Sequence, residues 1–315
     1  MVAPLTATMI RQLNNSNMAH QRASVGTLLG RIAVPGYAFY VDGNFGDDDN
    51  DGASWGSPFQ TLTYALAASA TAIASGAFGW AARNVIYCKA DSFVEDLVLL
   101  APKTDVVGVG SLDRFPYCGL VGNHVPTGAT ASFGTRFFNF MFSAPAAGGD
   151  IWTLDSYNAW LEFNGCRFSA QSTTPATGAI VATAASHLRV LGSTFVGRYS
   201  DAVIELGTGD ARGTWISGNH IEGANAGIEL GAGTTDSAGA TEEYIYIENN
   251  VISTATECIN DAAGIARINN NTCSTLQAKG VAGAGAIVGQ EFFSGGNKIS
   301  ASDLANADWP ALGSL

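Results

Sequence analysis

Two glutamates stand out by their context. Glu205 lies in Val-Ile-Glu-Leu and Glu229 in Gly-Ile-Glu-Leu, so in an extended chain each carboxylate points away from its apolar neighbours. On adjacent strands the two would stand ~4.8 Å apart, close to the ~5–5.5 Å between the two carboxyls of retaining glycosidases. Such a pair can cleave a glycosidic bond. The same spacing arises wherever two solvated glutamates stack on a ladder, and the equivalent positions further along are Asn260 and Ala282.

Other chemical groups are more scattered. An acidic loop carries Asp47, Asp48, Asp49 and Asp51, oxygen donors of the kind that hold Ca²⁺, but it lacks the terminal Glu of an EF-hand. The alternative is a plain turn, and calcium is the one cofactor these residues suggest. His20, His124, His187 and His220 show no paired metal spacing, and no Ser-His-Asp set can be assigned. Cys88, Cys118, Cys166, Cys258 and Cys273 are odd in number and lack metal-type CxxC spacing. They read as buried thiols of a chain assembled in a reducing compartment.

A further column offers contact rather than catalysis. Glu162, Arg189, Trp215, Tyr246 and Arg267 each precede an apolar residue (Phe163, Val190, Ile216, Ile247, Ile268) and so face outward if the latter face a core. Aromatics beside arginine are enriched at interfaces, and arginine stacks on aromatic rings. The column therefore predicts a subunit contact; a covering loop of the same chain and a carbohydrate platform are the alternatives.

The elements that position these residues come from a repeat. LEFNGCRF (161–168), LRVLGSTF (188–195), TWISGNHI (214–221), IYIENNVI (245–252), ARINNNTC (266–273) and FFSGGNKI (292–299) align without gaps. Their fifth column reads Gly165, Gly192, Gly218, Asn249, Asn270 and Gly296, the two residue types that best tolerate a left-handed bend. The sixth holds Asn219, Asn250, Asn271 and Asn297 after Cys166 and Ser193, which predicts stacked amides between coils. Successive corners lie 27, 26, 31, 21 and 26 residues apart. A second apolar column (Ile180, Ile204, Ile228, Ile259, Val281) keeps a similar period. The pattern is that of a solenoid with one coil per repeat.

Charge divides the chain. Only 13% of the 315 residues are charged, 47% are hydrophobic and Gly numbers 38, which suits a turn-rich β-structure and not disorder. No acidic residue precedes Asp42, whereas Arg11, Arg22 and Arg31 give the first 41 residues a charge of +3 against −15 for the rest. A net charge of −12 argues against nucleic acid as the main partner. No signal-peptide pattern opens the chain and no run approaches the ~20 apolar residues of a membrane span, so no membrane partner is expected. The expected divisions are an anchoring arm (1–36), an opening strand with the acidic loop and a helix over residues 59–75 (37–83), the solenoid (84–300) and a C-terminal cap or tail (301–315). Within the solenoid, short strands are expected at residues 85–88, 97–100 and 106–109.

The order YVDG, D-x-DG, PF-x-TL-x-x-AL and then VIYCKADSFVEDLVLLAPKTDVVGVGS resembles the opening of pectin-lyase-like proteins. Motifs carry the resemblance over about residues 40–111, and repeats continue it to about 300. It implies an all-β, single-stranded right-handed parallel β-helix with an N-terminal capping helix. The chain looks most like bacteriophage virion appendages of this fold. The ordered polygalacturonase motifs and the calcium carboxylates of pectate lyases are not found. The resemblance thus implies a structural virion protein, a head or tail decoration or spike subunit assembled in the host cytoplasm. It would be a homo-oligomer, a trimer first, joined to other virion proteins through residues 1–36. A tailspike-type polysaccharide depolymerase (glycoside hydrolase or polysaccharide lyase) and a non-catalytic adhesin for a host surface glycan are the alternatives.

Overall fold

The computed structural model describes residues 36–76, 82–110, 117–127, 133–156, 158–170, 175–236 and 244–275, with short segments at 281–283, 286–287 and 292–293. The arm with Arg11, Arg22 and Arg31, His20, and residues 294–315 lie outside them. The described chain is almost all β. It forms two long sheets of ten and twelve strands whose pairings are all parallel, and neither sheet closes on itself. Each coil contributes one strand to the first sheet (sheet A), turns a corner, and then runs along the second (sheet B), as in a parallel solenoid. No helix among the described residues is long and apolar enough to cross a membrane.

The corners are where glycine and asparagine are needed. Gly165, Gly192, Gly218, Asn249 and Asn270 all have left-handed backbones, with φ between 52° and 69°. Immediately after them a buried polar column runs along the rod. Asn219 Nδ2 donates to Asn250 Oδ1 and Asn250 Nδ2 to Asn271 Oδ1, both at 2.9 Å. The same Oδ1 atoms accept the backbone N–H groups of Asn219 and Asn250 at 3.0 Å. Towards the N-terminus the column continues through Ser193 N–H to Asn219 Oδ1 and Cys166 N–H to Ser193 Oγ. The second amide proton of each asparagine goes to a carbonyl of the preceding coil, that of Val190, Ile216 or Ile247. Buried donors are thus satisfied, as burial requires.

The core fills the coils from both sides. Phe163, Val190, Ile216, Ile247 and Ile268 are register partners on sheet A, and Phe168, Phe195, Ile221, Ile252 and Cys273 on sheet B; all are buried. Ile180, Ile204, Ile228, Ile259 and Val281 align on the second stretch of sheet B. Near the N-terminal end the rings of Phe137, Phe142 and Phe163 surround Trp152 at 5.1–5.4 Å. All five cysteines are buried thiols outside any disulfide.

At the N-terminal end the strand Ala38–Val41 pairs with Asn84–Lys89. Its other side exchanges backbone hydrogen bonds with Gly52 and Phe59, so this sheet edge is covered. The helix Leu62–Ala74 follows, with Thr61 as N-cap. The Glu95 carboxylate accepts the N–H groups of Leu62 and Thr63, satisfying free donors of the first turn and complementing the helix dipole.

One expected strand and the last expected repeat are corrected. Residues 97–100 are not a strand: the strand is Ser92–Val94, and Leu97 and Leu100 point into the core while Val98 and Leu99 are exposed. An apolar run fills a core from irregular backbone as readily as from a strand. The last repeat is also shifted. Phe292 and Phe293 pair with Thr272 and Cys273 on sheet B, and Ala286–Ile287 supplies the sheet A strand opposite Arg267 and Ile268. Phe292 and Phe293 therefore pair with residues that follow the corner rather than precede it, because two adjacent apolar residues fit the sequence pattern of either sheet. Gly296, Asn297 and Ile299 lie outside the described residues.

The ladder is expected to dominate local stability. Asn250→Ala leaves two buried donors of Asn219 unsatisfied and should cost on the order of 3 kcal/mol in chemical denaturation. Asn249→Gly, at φ 57°, should be near neutral. Equal effects of the two would contradict the roles assigned to the corner and the ladder.

Candidate functional site

The carboxylate pair is brought together. The strands Thr194–Leu206 and His220–Leu230 pair with Glu205 directly opposite Glu229, and Asn260 follows on the next coil. Parallel pairing places the two backbones ~4.8 Å apart. Around them the fold gathers three further acids, Asp150, Asp201 and Glu257, that act on the pair electrostatically. Partial burial, and then the charges of Asp201, Glu229 and Asp150, raise the Glu205 carboxyl above its ordinary value. Burial, Asp201 and Glu257 do the same for Glu229. Burial also raises Asp150, although the Gly178 N–H donates to its Oδ1 at 3.1 Å. None of the five forms an ion pair among the described residues. Neighbouring carboxyls whose pKa values are raised are a kind of pair that general acid catalysis can use.

The outward column on sheet A is also in register: Glu162, Arg189, Trp215, Tyr246 and Arg267 follow one another coil by coil. One member differs from expectation. Glu162 is 3% exposed, flanked by Arg136 and Arg189 on the neighbouring strands and accepting from Asn164 Nδ2. Arg136 in turn makes a paired contact to Asp105, which also holds Arg83, so this half of the face is neutralised internally. The other half is more open. Trp215 is 40% exposed, its Nε1 donating to Glu248 at 2.9 Å and its ring 6.2 Å from Tyr246. Arg267 lies 3.3 Å over the Tyr244 ring. The chain's own Tyr244 and Glu248 thus brace the stripe without covering Trp215.

The acidic loop is used structurally. Asp48 accepts from the backbone of Gln60 and Thr61 and from the Thr61 hydroxyl, tying the loop to the helix N-cap. Asp47 and Asp51 each accept an N–H two residues on, and Asp49 donates its own N–H to Asp47. Among the described residues no group of three or more His, Cys, Asp or Glu is arranged to hold a metal ion. The histidines are dispersed. His124 is buried against Trp152, and burial lowers its pKa to about 3, so it is a neutral core residue. His220 stands 3.5 Å from Glu222 on the surface.

Sequence reasoning missed two features. One is the extent of the acidic cluster: Asp150, Asp201 and Glu257 are drawn to Glu205 and Glu229 only by coil stacking. The other is an aromatic stack at the start of the sheet A strands. Trp160 and His187 stack at 4.1 Å and 6°, with Phe133 6.1 Å from Trp160. Both residues have left-handed backbones, φ 62° and 57°, unusual for bulky side chains. Gly134 and Gly213, also left-handed, occupy neighbouring coils, and a Cβ at Gly213 would come within 2.5 Å of the His187 ring. The glycines carried the only signal for this second corner. Compared with protein-family models, curated proteins and solved structures, the chain finds no match.

The raised carboxyls set a sign for pH dependence. A folded-state pKa above the unfolded one contributes stability below the unfolded value and loses it as pH rises through the folded one. Glu205→Gln and Glu229→Gln should therefore raise the melting temperature at about pH 7 and leave it unchanged at about pH 4. Melting curves at the two pH values check this; a loss of stability at neutral pH would contradict the repulsion.

Proposed function

We propose that the chain is a right-handed parallel β-helix whose N-terminal helix caps the first coil, and that it serves as a structural virion subunit of a bacteriophage, a head or tail decoration or spike. In this reading the rod associates with copies of itself, three in number, and residues 1–36 join it to other virion proteins in the host cytoplasm. The observation that carries the reading is the open half of the sheet A face, where Trp215 stays 40% exposed between Arg189 and Tyr246. A large aromatic set among arginines on a rigid, in-register surface is the composition of a protein contact. Stacked coils with a buried amide ladder supply the stiffness a particle appendage needs. Cysteines kept as thiols suit assembly inside a cell, and a cationic arm on an acidic body suits docking to another acidic protein surface.

Removing residues 1–36 should leave a body with the wild-type circular dichroism and melting temperature that is absent from purified particles. Normal incorporation of the truncated chain would overturn the anchoring role.

A second reading is favoured by one observation, the register pairing of Glu205 with Glu229 and their raised carboxyls. Perturbed acids side by side mark candidate catalytic sites, and here they would cleave a host surface glycan. Incubation with host capsule or lipopolysaccharide should then release new reducing ends, and Glu205→Gln should abolish the release. Full activity in that variant would remove these residues as the catalytic pair.

A further inference from the structure

Towards the N-terminal end the ladder column holds sulfur in place of amides. Cys118 precedes Gly119 on sheet B as Phe140, Cys166 and Asn219 precede the residues in register with it, Met141, Arg167 and His220. Cys118 therefore occupies the ladder position of its own coil. A second cysteine lies beside it on the preceding coil. Cys88, in the strand Asn84–Lys89, stands directly opposite Gly108 in the strand Thr104–Val109. A Cβ at Gly108 would come within 2.9 Å of the Cys118 Cβ. Because glycine leaves that space open, Cys118 packs against the backbone next to Cys88, and the two thiols are hydrogen-bond partners. Both are buried. Cys166 is placed differently, its Sγ turned to the carbonyls of Phe137 and Asn164.

We propose that Cys88 and Cys118 are a redox pair that closes as a disulfide and ties the first coil to the second once the chain leaves a reducing compartment. The oxidant is a small disulfide of the glutathione type. The thiolate of one cysteine attacks a sulfur of oxidised glutathione, forming a mixed disulfide and releasing one glutathione. The other cysteine then attacks the protein sulfur of that bond, and the second glutathione leaves. The two protein thiol protons end on two glutathione thiols; the protein loses two electrons and the oxidant gains them. Burial, and then the contact with Cys118, hold the Cys88 thiol well above its ordinary pKa. Little thiolate exists in the closed fold, so the reaction waits on local opening of the coils. The bond would do covalently at this end what Asn219 and Asn250 do by hydrogen bonding further along. It forms by the same chemistry whether or not the chain is a virion subunit.

Thiol mapping on the full wild-type chain tests the pair and needs no variant to fold. Protein purified under reductant is incubated with oxidised glutathione, alkylated in denaturant, digested with trypsin and analysed by mass spectrometry without reduction. The expected product is a Cys88 peptide linked to a Cys118 peptide, which separates on reduction, while Cys166 is recovered alkylated. The oxidised protein should also melt at a higher temperature than the same sample in dithiothreitol, because the cross-link restricts the unfolded chain. Cys118→Ser should melt at one temperature under both conditions. Recovery of Cys88 and Cys118 both alkylated, or linked to other cysteines, would overturn the pair. A Cys88–Cys118 link that leaves the melting temperature unchanged would overturn its role as a tie between coils.

Discussion

The rest of the structure depends on the buried amide ladder at one corner of the coil. A carboxamide inside a dry core must find partners for all its polar atoms, and Asn219, Asn250 and Asn271 do so only if their coils are stacked in one register. A slip by one residue would break the ladder and also turn every inward side chain outward. The left-handed corner before each ladder position and the alternation after it belong to the same constraint. Where the column changes to Ser193 and Cys166, one side-chain acceptor still bridges Ser193 to Cys166. There, large aromatic rings take over the filling of the core, with Phe168 and Phe195 stacked at 4.5 Å.

Fixing the register also decides what the outside can do. Side chains on the outer faces become columns one strand apart, so a charge in one coil is felt by the next. Towards the N-terminal end the sheet A column is self-neutralising, with Asp105, Arg136 and Glu162 in succession. Further along it becomes aromatic and cationic, while the second stretch of sheet B collects carboxylates that repel one another. The middle of the rod is therefore where the exposed Trp215 and the paired carboxylates Glu205 and Glu229 stand. Both functional readings draw on that middle, one through contact and the other through acid chemistry.

What was legible in the sequence follows from which residues the ladder constrains. Glycine or asparagine at Gly165 to Asn270, the amides after them and the inward columns were all readable, because a bend, a buried amide and a core position each tolerate few residue types. Glu162 was not, since alternation gives the direction of a side chain but not what its neighbours cover. Residues 97–100 and 292–299 misled because apolar composition alone does not say which element supplies a core side chain. The Trp160–His187 stack was hidden because bulky residues seldom occupy left-handed backbone. The acidic cluster was half legible: Glu205 and Glu229 share a tetrapeptide context, whereas Asp150, Asp201 and Glu257 share none.

Hydrogen exchange at the ladder tests the central claim most directly. The backbone amides of Ser193, Asn219 and Asn250 each donate to a side chain of the next coil, so they are released only when coils separate. They should exchange with the slowest class of amides, at a rate set by global unfolding. Exchange as fast as in the exposed acidic loop would mean that the coils are not held at this corner, and the account built on it would fail.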